Sequence, residues 1–267
     1  MVAARYCNRV QPAIKPALTT IKMAKQKLIS FHGKQEIKDA KIADLKRHRE
    51  LDNLVQRTYF DFEEKKGCAV TCTMFTPDEF VSGNVNTMGI HARYEAELGI
   101  PITIARLEDR FFEGLSVADS KNWPLSFMEA VPVGVDLDPV WRKFFAWMLG
   151  DDAEGVVKFA KNDDERKAIM DVANAFTRSL TETITSDEWW EIRRPAAAAA
   201  AAYAAAAAAY AAYAADAAAY AAAADAAAAA DAAAYADAAY AARTNAAQQH
   251  YVKMANKLLE LLREAAL

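Results

Sequence analysis

Apolar residues recur every three to four positions along most of this chain, the period of a helix with one buried face. From Lys34 to Arg57 the row Ile37, Lys41, Leu45, His48, Asp52 and Val55, with Ile42 and Leu51 alongside, predicts a helix with a charged opposite face. His48 stands among Lys46, Arg47 and Arg49 and reads as a solvated or capping histidine; His32, before Gly33, reads as a turn residue. Pro101 opens and Gly114 closes a helix whose inner stripe is Ile104, Leu107 and Phe111. Asp138-Pro139 starts another, through Val140, Trp141, Phe144, Phe145 and Met148 to Gly150. A further amphipathic helix runs from Asp163 to Leu180 through Ile169, Val172 and Phe176, and Ser186-Asp187 caps a short one holding Trp189 and Trp190. The last helix puts Tyr251, Met254, Leu258, Leu261 and Leu262 on one face, which needs a partner. Only Gly67 to Phe75 leaves room for a short hairpin. The expected fold class is all-α, a bundle of roughly eight to ten helices.

One stretch departs from this pattern. From Ala196 to Ala242 the chain uses only Ala, Tyr and Asp. Alanine has the best helix propensity, and no Gly or Pro interrupts the tract, so helix is expected throughout. A straight helix of that length would run on the order of 70 Å, longer than the diameter below about 50 Å of a compact chain this size. Two or more packed helices are therefore expected rather than one rod. At 100° per residue Tyr203, Tyr210, Tyr213, Tyr220 and Tyr235 share a sector of roughly 100°, with Tyr240 outside it. Small side chains let helix axes approach closely. The five tyrosines are thus either a buried packing stripe or a partner or ligand surface.

Boundaries follow from these shifts. Residues 1–30 carry Arg5, Arg9, Lys15, Lys22, Lys25 and Lys27 without an acid, and read as a flexible basic extension that ends near a second possible start, Met23. Residues 31–195 form a helical body, and residues 196–267 hold the Ala/Tyr/Asp region plus an amphipathic C-terminal helix.

Charge narrows the function classes. Of the net charge of −4, all is carried by the tract's Asp216, Asp225, Asp231 and Asp237. The rest of the chain is balanced, without the basic stripe of a dedicated nucleic-acid binder. Three cysteines, Cys7, Cys68 and Cys72, are too few and too odd for a disulfide framework, which fits a cytoplasmic protein. The tract is poor in Leu, Ile, Val and Phe and carries four Asp, so no membrane span is expected.

Chemistry concentrates in two places. In Gly67-Cys68-Ala69-Val70-Thr71-Cys72 the cysteines are four apart and share one side of a helix or one face of a strand. In HARYEAELG, His91 and Glu95 are also four apart, a spacing that suits a shared metal ion or a His–carboxylate hydrogen bond. Cys68, Cys72, His91 and Glu95 are the candidate metal ligands, for zinc or iron. His91, Glu95 and Glu108 are the candidate catalytic groups. The competing reading makes the cysteines small buried hydrophobes and the His91–Glu95 pair a helix-surface contact. Phosphate loops, nucleophile elbows and H-E-x-x-H are missing.

These residues carry a resemblance. FHG from Phe31, GCAVTC from Gly67, H-x-x-YE from His91, LGIP from Leu98, LEDRFFEGL from Leu107, WP from Trp123 and VPVGVDLDPVW from Val131 resemble a group of uncharacterised bacterial and phage-encoded proteins. Those proteins also end in an Ala/Tyr/Asp-rich stretch and a segment similar to MANKLLELLREA. The resemblance spans residues 31–267 and brings no activity with it. It implies a bacterial or phage setting, and Thr71 stands where the group has Gly.

Two functions remain open on the sequence. The leading one is a binding or structural interaction module, through a protein partner or self-association. The alternative is a metal-dependent or thiol enzyme with a Cys68/Cys72/His91/Glu95 pocket. They differ in space: the enzyme needs these side chains to meet in a cleft, whereas the module buries both cysteines in apolar surroundings.

Overall fold

The computed structural model describes residues 27–192, 194–195 and 248–267. The fold is all-α: eleven helices and one two-stranded sheet among the described residues. In order they are α1 (Gln35–Glu50), β1 (Phe60–Asp61), β2 (Lys66–Gly67), α2 (Ala69–Met74), α3 (Pro77–Ser82), α4 (Ile90–Arg93, continued by a wider turn Tyr94–Leu98) and α5 (Ile102–Gly114). Then follow α6 (Val117–Ser120), α7 (Trp123–Ala130), α8 (Asp138–Gly150), α9 (Asp163–Arg178), α10 (residues 186–192) and α11 (residues 248–264).

One core unites the body. It joins Leu45 of α1, Val70 of α2, Ile104, Phe111 and Phe112 of α5, Phe127 of α7 and Phe144 of α8 with Leu258 and Leu262 of α11. The apolar face of the last helix therefore finds its partner within its own chain: Leu258 and Leu262 are 0% exposed. Tyr251 lies edge-on to Phe111, with ring centres 6.5 Å apart, and Lys253 pairs with Glu154 at 2.6 Å. At the other flank of the tract, Trp189 stacks on Phe176 of α9, with ring centres 4.9 Å apart, and α9 packs on α8.

Several expectations shift. The first helix stops at Glu50 rather than reaching Arg57. Asp52 turns the chain with φ +52°, and residues 53–55 run beside β2, Gly67 N–H donating to the Asn53 carbonyl and Val55 N–H to that of Gly67. The apolar positions Leu54 and Val55 are thus spent on strand-like pairing, which one periodic row cannot separate from a continuing helix. The hairpin closes Phe60–Asp61 on Lys66–Gly67, earlier than the Gly67 to Phe75 window, and the cysteine segment is helical. The helix before the tract is capped by the Thr185 hydroxyl, which accepts from Glu188 N–H.

His48 overturns its reading as a solvated residue. It is 0% exposed, its ring nitrogens facing the Phe75 carbonyl at 2.7 Å and Asn53 Oδ1 at 3.1 Å. Burial holds its pKa below the ordinary 6.5 despite those two contacts. It falls three residues after Leu45, on the buried stripe of α1, and the three bases around it point elsewhere.

Candidate functional site

Glycine at position 67 lets three segments meet. A Cβ there would lie 3.0 Å from the Tyr59 carbonyl and 3.1 Å from both Phe80 and Thr71. The strip of residues 53–59 therefore lies directly against the start of α2. The same strip is fastened to α5 from the other side: Gln56 Nε2 donates to the Phe112 and Leu115 carbonyls, and Arg57 N–H donates to Glu113 Oε2 at 2.8 Å. Arg57 takes φ +73°, a left-handed conformation that non-glycine residues rarely adopt, and the Glu113 bond holds it there.

Between strip, α2 and α5 opens a cleft of about 240 Å³ lined by Arg57, Thr58, Tyr59, Cys68, Asp109 and Glu113. Asp109 and Glu113, four apart on α5, share one face. His91 stands behind Asp109, Nε2 to Oδ2 at 3.0 Å, and meets Tyr59 edge-on with ring centres 6.1 Å apart. The imidazole thus fixes both an acid and an aromatic ring of the cleft.

Under the cleft floor lies a second polar group, closed to solvent. Glu108 is 0% exposed and accepts from Tyr94 Oη–H at 2.8 Å and from Thr73 Oγ1–H at 3.0 Å. Its own carbonyl accepts from Trp123 Nε1–H at 2.8 Å, so one residue ties α2, α5, α7 and the Tyr94 turn together. With no cation beside it, burial pushes the carboxyl up to about 8, against the two hydrogen bonds that favour its charge. Burial thus favours the protonated form of Glu108.

Among the described residues, the four proposed metal ligands included, no group of three His, Cys, Asp or Glu side chains is arranged to hold a metal ion. His91 turns to Asp109 instead of Glu95, and Glu95 Oε1 accepts from Ile102 N–H at 3.1 Å, satisfying the first turn of α5. Cys72 is 0% exposed, its thiol directed at the Gly67 carbonyl 3.6 Å away. Burial, then Asp109, push the Cys68 thiol up to about 12, and burial drives Cys72 well above its ordinary value too. Cys68 reaches the cleft while 1% exposed, as a neutral thiol rather than a nucleophile. Of the proposed catalytic groups, His91 braces the cleft, Glu95 caps a helix and Glu108 lies in the core.

The spacing of motifs missed Arg57, Tyr59 and Thr73, while Tyr94 stood in the HARYEAELG group without its partner Glu108. No motif encodes Arg57 and Tyr59, because a strip beside β2 places them. Glu108 left a signal: it sits between Leu107 and Phe111 and four residues after Ile104, a carboxylate on a buried stripe. The five tract tyrosines, Tyr203, Tyr210, Tyr213, Tyr220 and Tyr235, lie outside the described residues.

Comparison of the chain with protein-family models, with curated proteins and with solved structures gives no match in any of the three. The described residues form an all-α body, and a small polar cleft lies between the strip, α2 and α5. No described helix is long and apolar enough to cross a membrane.

Proposed function

We propose that this chain is a structural interaction module whose folded body anchors the Ala/Tyr/Asp tract for association with further copies of itself. The supporting observation is the seat of α11. Leu258 and Leu262 lie in the same core as Phe111 and Phe144, so the chain after the tract returns to the body it left. The tract is then an insertion held at both flanks rather than a tail. A composition of alanine, whose small side chain lets helices approach closely, and tyrosine, which brings a large ring with a hydroxyl, suits association between copies. The candidate catalytic groups Glu95 and Glu108 serve the body as a helix cap and a core staple.

The test replaces residues 196–242 with a Gly/Ser linker of equal length and measures mass by sedimentation over a range of concentrations. The reading expects the full chain to form concentration-dependent assemblies and the replaced chain to stay monomeric with an unchanged melt. Monomers in both cases sink it.

A further inference from the structure

We infer that the cleft between Arg57, Tyr59 and Asp109 is a binding site for a small zwitterion of the α-amino acid class, its ammonium toward Asp109 and Glu113 and its carboxylate toward Arg57.

Polarity comes first. Each acid has one oxygen committed: Asp109 Oδ2 to His91, Glu113 Oε2 to the Arg57 N–H. Among the described residues neither Asp109 Oδ1 nor Glu113 Oε1 has a hydrogen-bond partner, and the Arg57 guanidinium has neither a hydrogen bond nor an ion pair. The cleft therefore offers two carboxylate oxygens and a planar fork of donors, the complements of an ammonium and a carboxylate. A simple anion would meet two acids, and a simple cation would meet Arg57, whose charge already acts on Glu113. A zwitterion answers both.

Size comes next. A volume of about 240 Å³ is below the range of drug-sized pockets. At roughly 30 Å³ per water it displaces on the order of eight waters, the scale of a single amino acid. The Tyr59 ring, 46% exposed and steadied by His91, gives one apolar wall for a side chain. Cys68 gives a neutral floor, which adds no competing charge.

Preorganisation is the third point. The Glu113 bond keeps the Arg57 backbone at φ +73° and the His91 bond aims Asp109, so one carboxylate and the backbone that carries the guanidinium are set before any ligand arrives. Binding then orders fewer side chains.

The experiment uses the full chain and titrates the standard amino acids one by one, with amide chemical shifts as the readout. At least one should bind, with the largest shifts at Tyr59, Cys68 and Asp109. For that amino acid, N-acetylation and conversion to the amide remove one charge each, and each should weaken Kd by about tenfold or more. Arg57→Gln should cause the same loss for the parent and little further loss for the amide; Asp109→Asn should mirror it for the N-acetyl form. Failure of every amino acid to bind, shifts centred away from the cleft, or equal affinity for the parent and both blocked forms would each overturn the proposal. Chemical shifts on the unmodified chain decide the location even where a variant fails to fold.

Discussion

Tyr94 Oη donates to Glu108 at 2.8 Å in a site where both side chains are fully enclosed. That bond joins the turn after α4 to the middle of α5, within a polar cluster placed inside an apolar core. Removing the hydroxyl alone leaves the carboxyl short of a partner. Tyr94→Phe should therefore destabilise the chain by about 1–3 kcal/mol, read from denaturant midpoints. A loss below a few tenths of a kcal/mol would mean that the acid finds another partner.

Glu108 also gives stability a slope with pH. Its carboxyl is raised from 4.5 to about 8 in the folded chain, so between those values the folded state keeps a proton that the unfolded state has released. Its contribution is complete below pH 4.5 and is lost as pH rises toward 8, by up to about 1.4 kcal/mol per unit. His48 acts with the opposite sign. Burial lowers its pKa from 6.5, so stability from this residue is present above 6.5 and falls as the pH drops through the lowered value. Unfolding free energy measured across this range should decline toward alkaline pH, and Glu108→Gln should flatten the decline while leaving the acid side intact. A wild-type curve that is level from pH 5 to 8 would contradict the buried acid.

The thiols make a kinetic prediction. Alkylation needs the thiolate, and a thiol near 12 supplies on the order of 10⁻⁵ of it at neutral pH. In the folded chain Cys68 and Cys72 should resist iodoacetamide, and in denaturant both should label fully, as followed by peptide mass spectrometry. Rapid native labelling of Cys68 would restore the thiol-enzyme reading.

How far the sequence carried can be seen in particular helices. The stripe Ile104, Leu107 and Phe111 gave α5 its inner face, and Tyr251, Met254, Leu258, Leu261 and Leu262 foretold the face of α11, because period and amphipathicity are local. The site was less legible. His91 was paired with Glu95 by spacing, whereas the structure gives it Asp109, eighteen positions away, because the wide turn Tyr94–Leu98 swings Glu95 onto the start of α5. Arg57 and Tyr59 became cleft residues through a left-handed turn at Asp52 and a close approach at Gly67. Those are tertiary events, and a helical row drawn from Lys34 to Arg57 hides them.

The seat of the last helix can be tested at one contact. Gly114 ends α5, and a Cβ there would lie 2.4 Å from two atoms of the Tyr251 ring, closer than any unstrained contact. In an isolated helix Gly→Ala is favourable by up to about 1 kcal/mol, since alanine loses less backbone freedom. Here overpacking should dominate, and Gly114→Ala should destabilise by roughly 1–3 kcal/mol. The sign should reverse once the ring is gone: in a Tyr251→Ala background the same change should be neutral or stabilising by a few tenths of a kcal/mol or more. Denaturant unfolding of the four chains measures the coupling directly. Because Tyr251 lies on the segment that follows the tract and Gly114 on the helix that carries the cleft acids, a large coupling means that the chain's return after the tract is sensed at the cleft helix. Equal effects of Gly114→Ala in both backgrounds would detach α11 from α5 and remove the support on which the anchored tract rests.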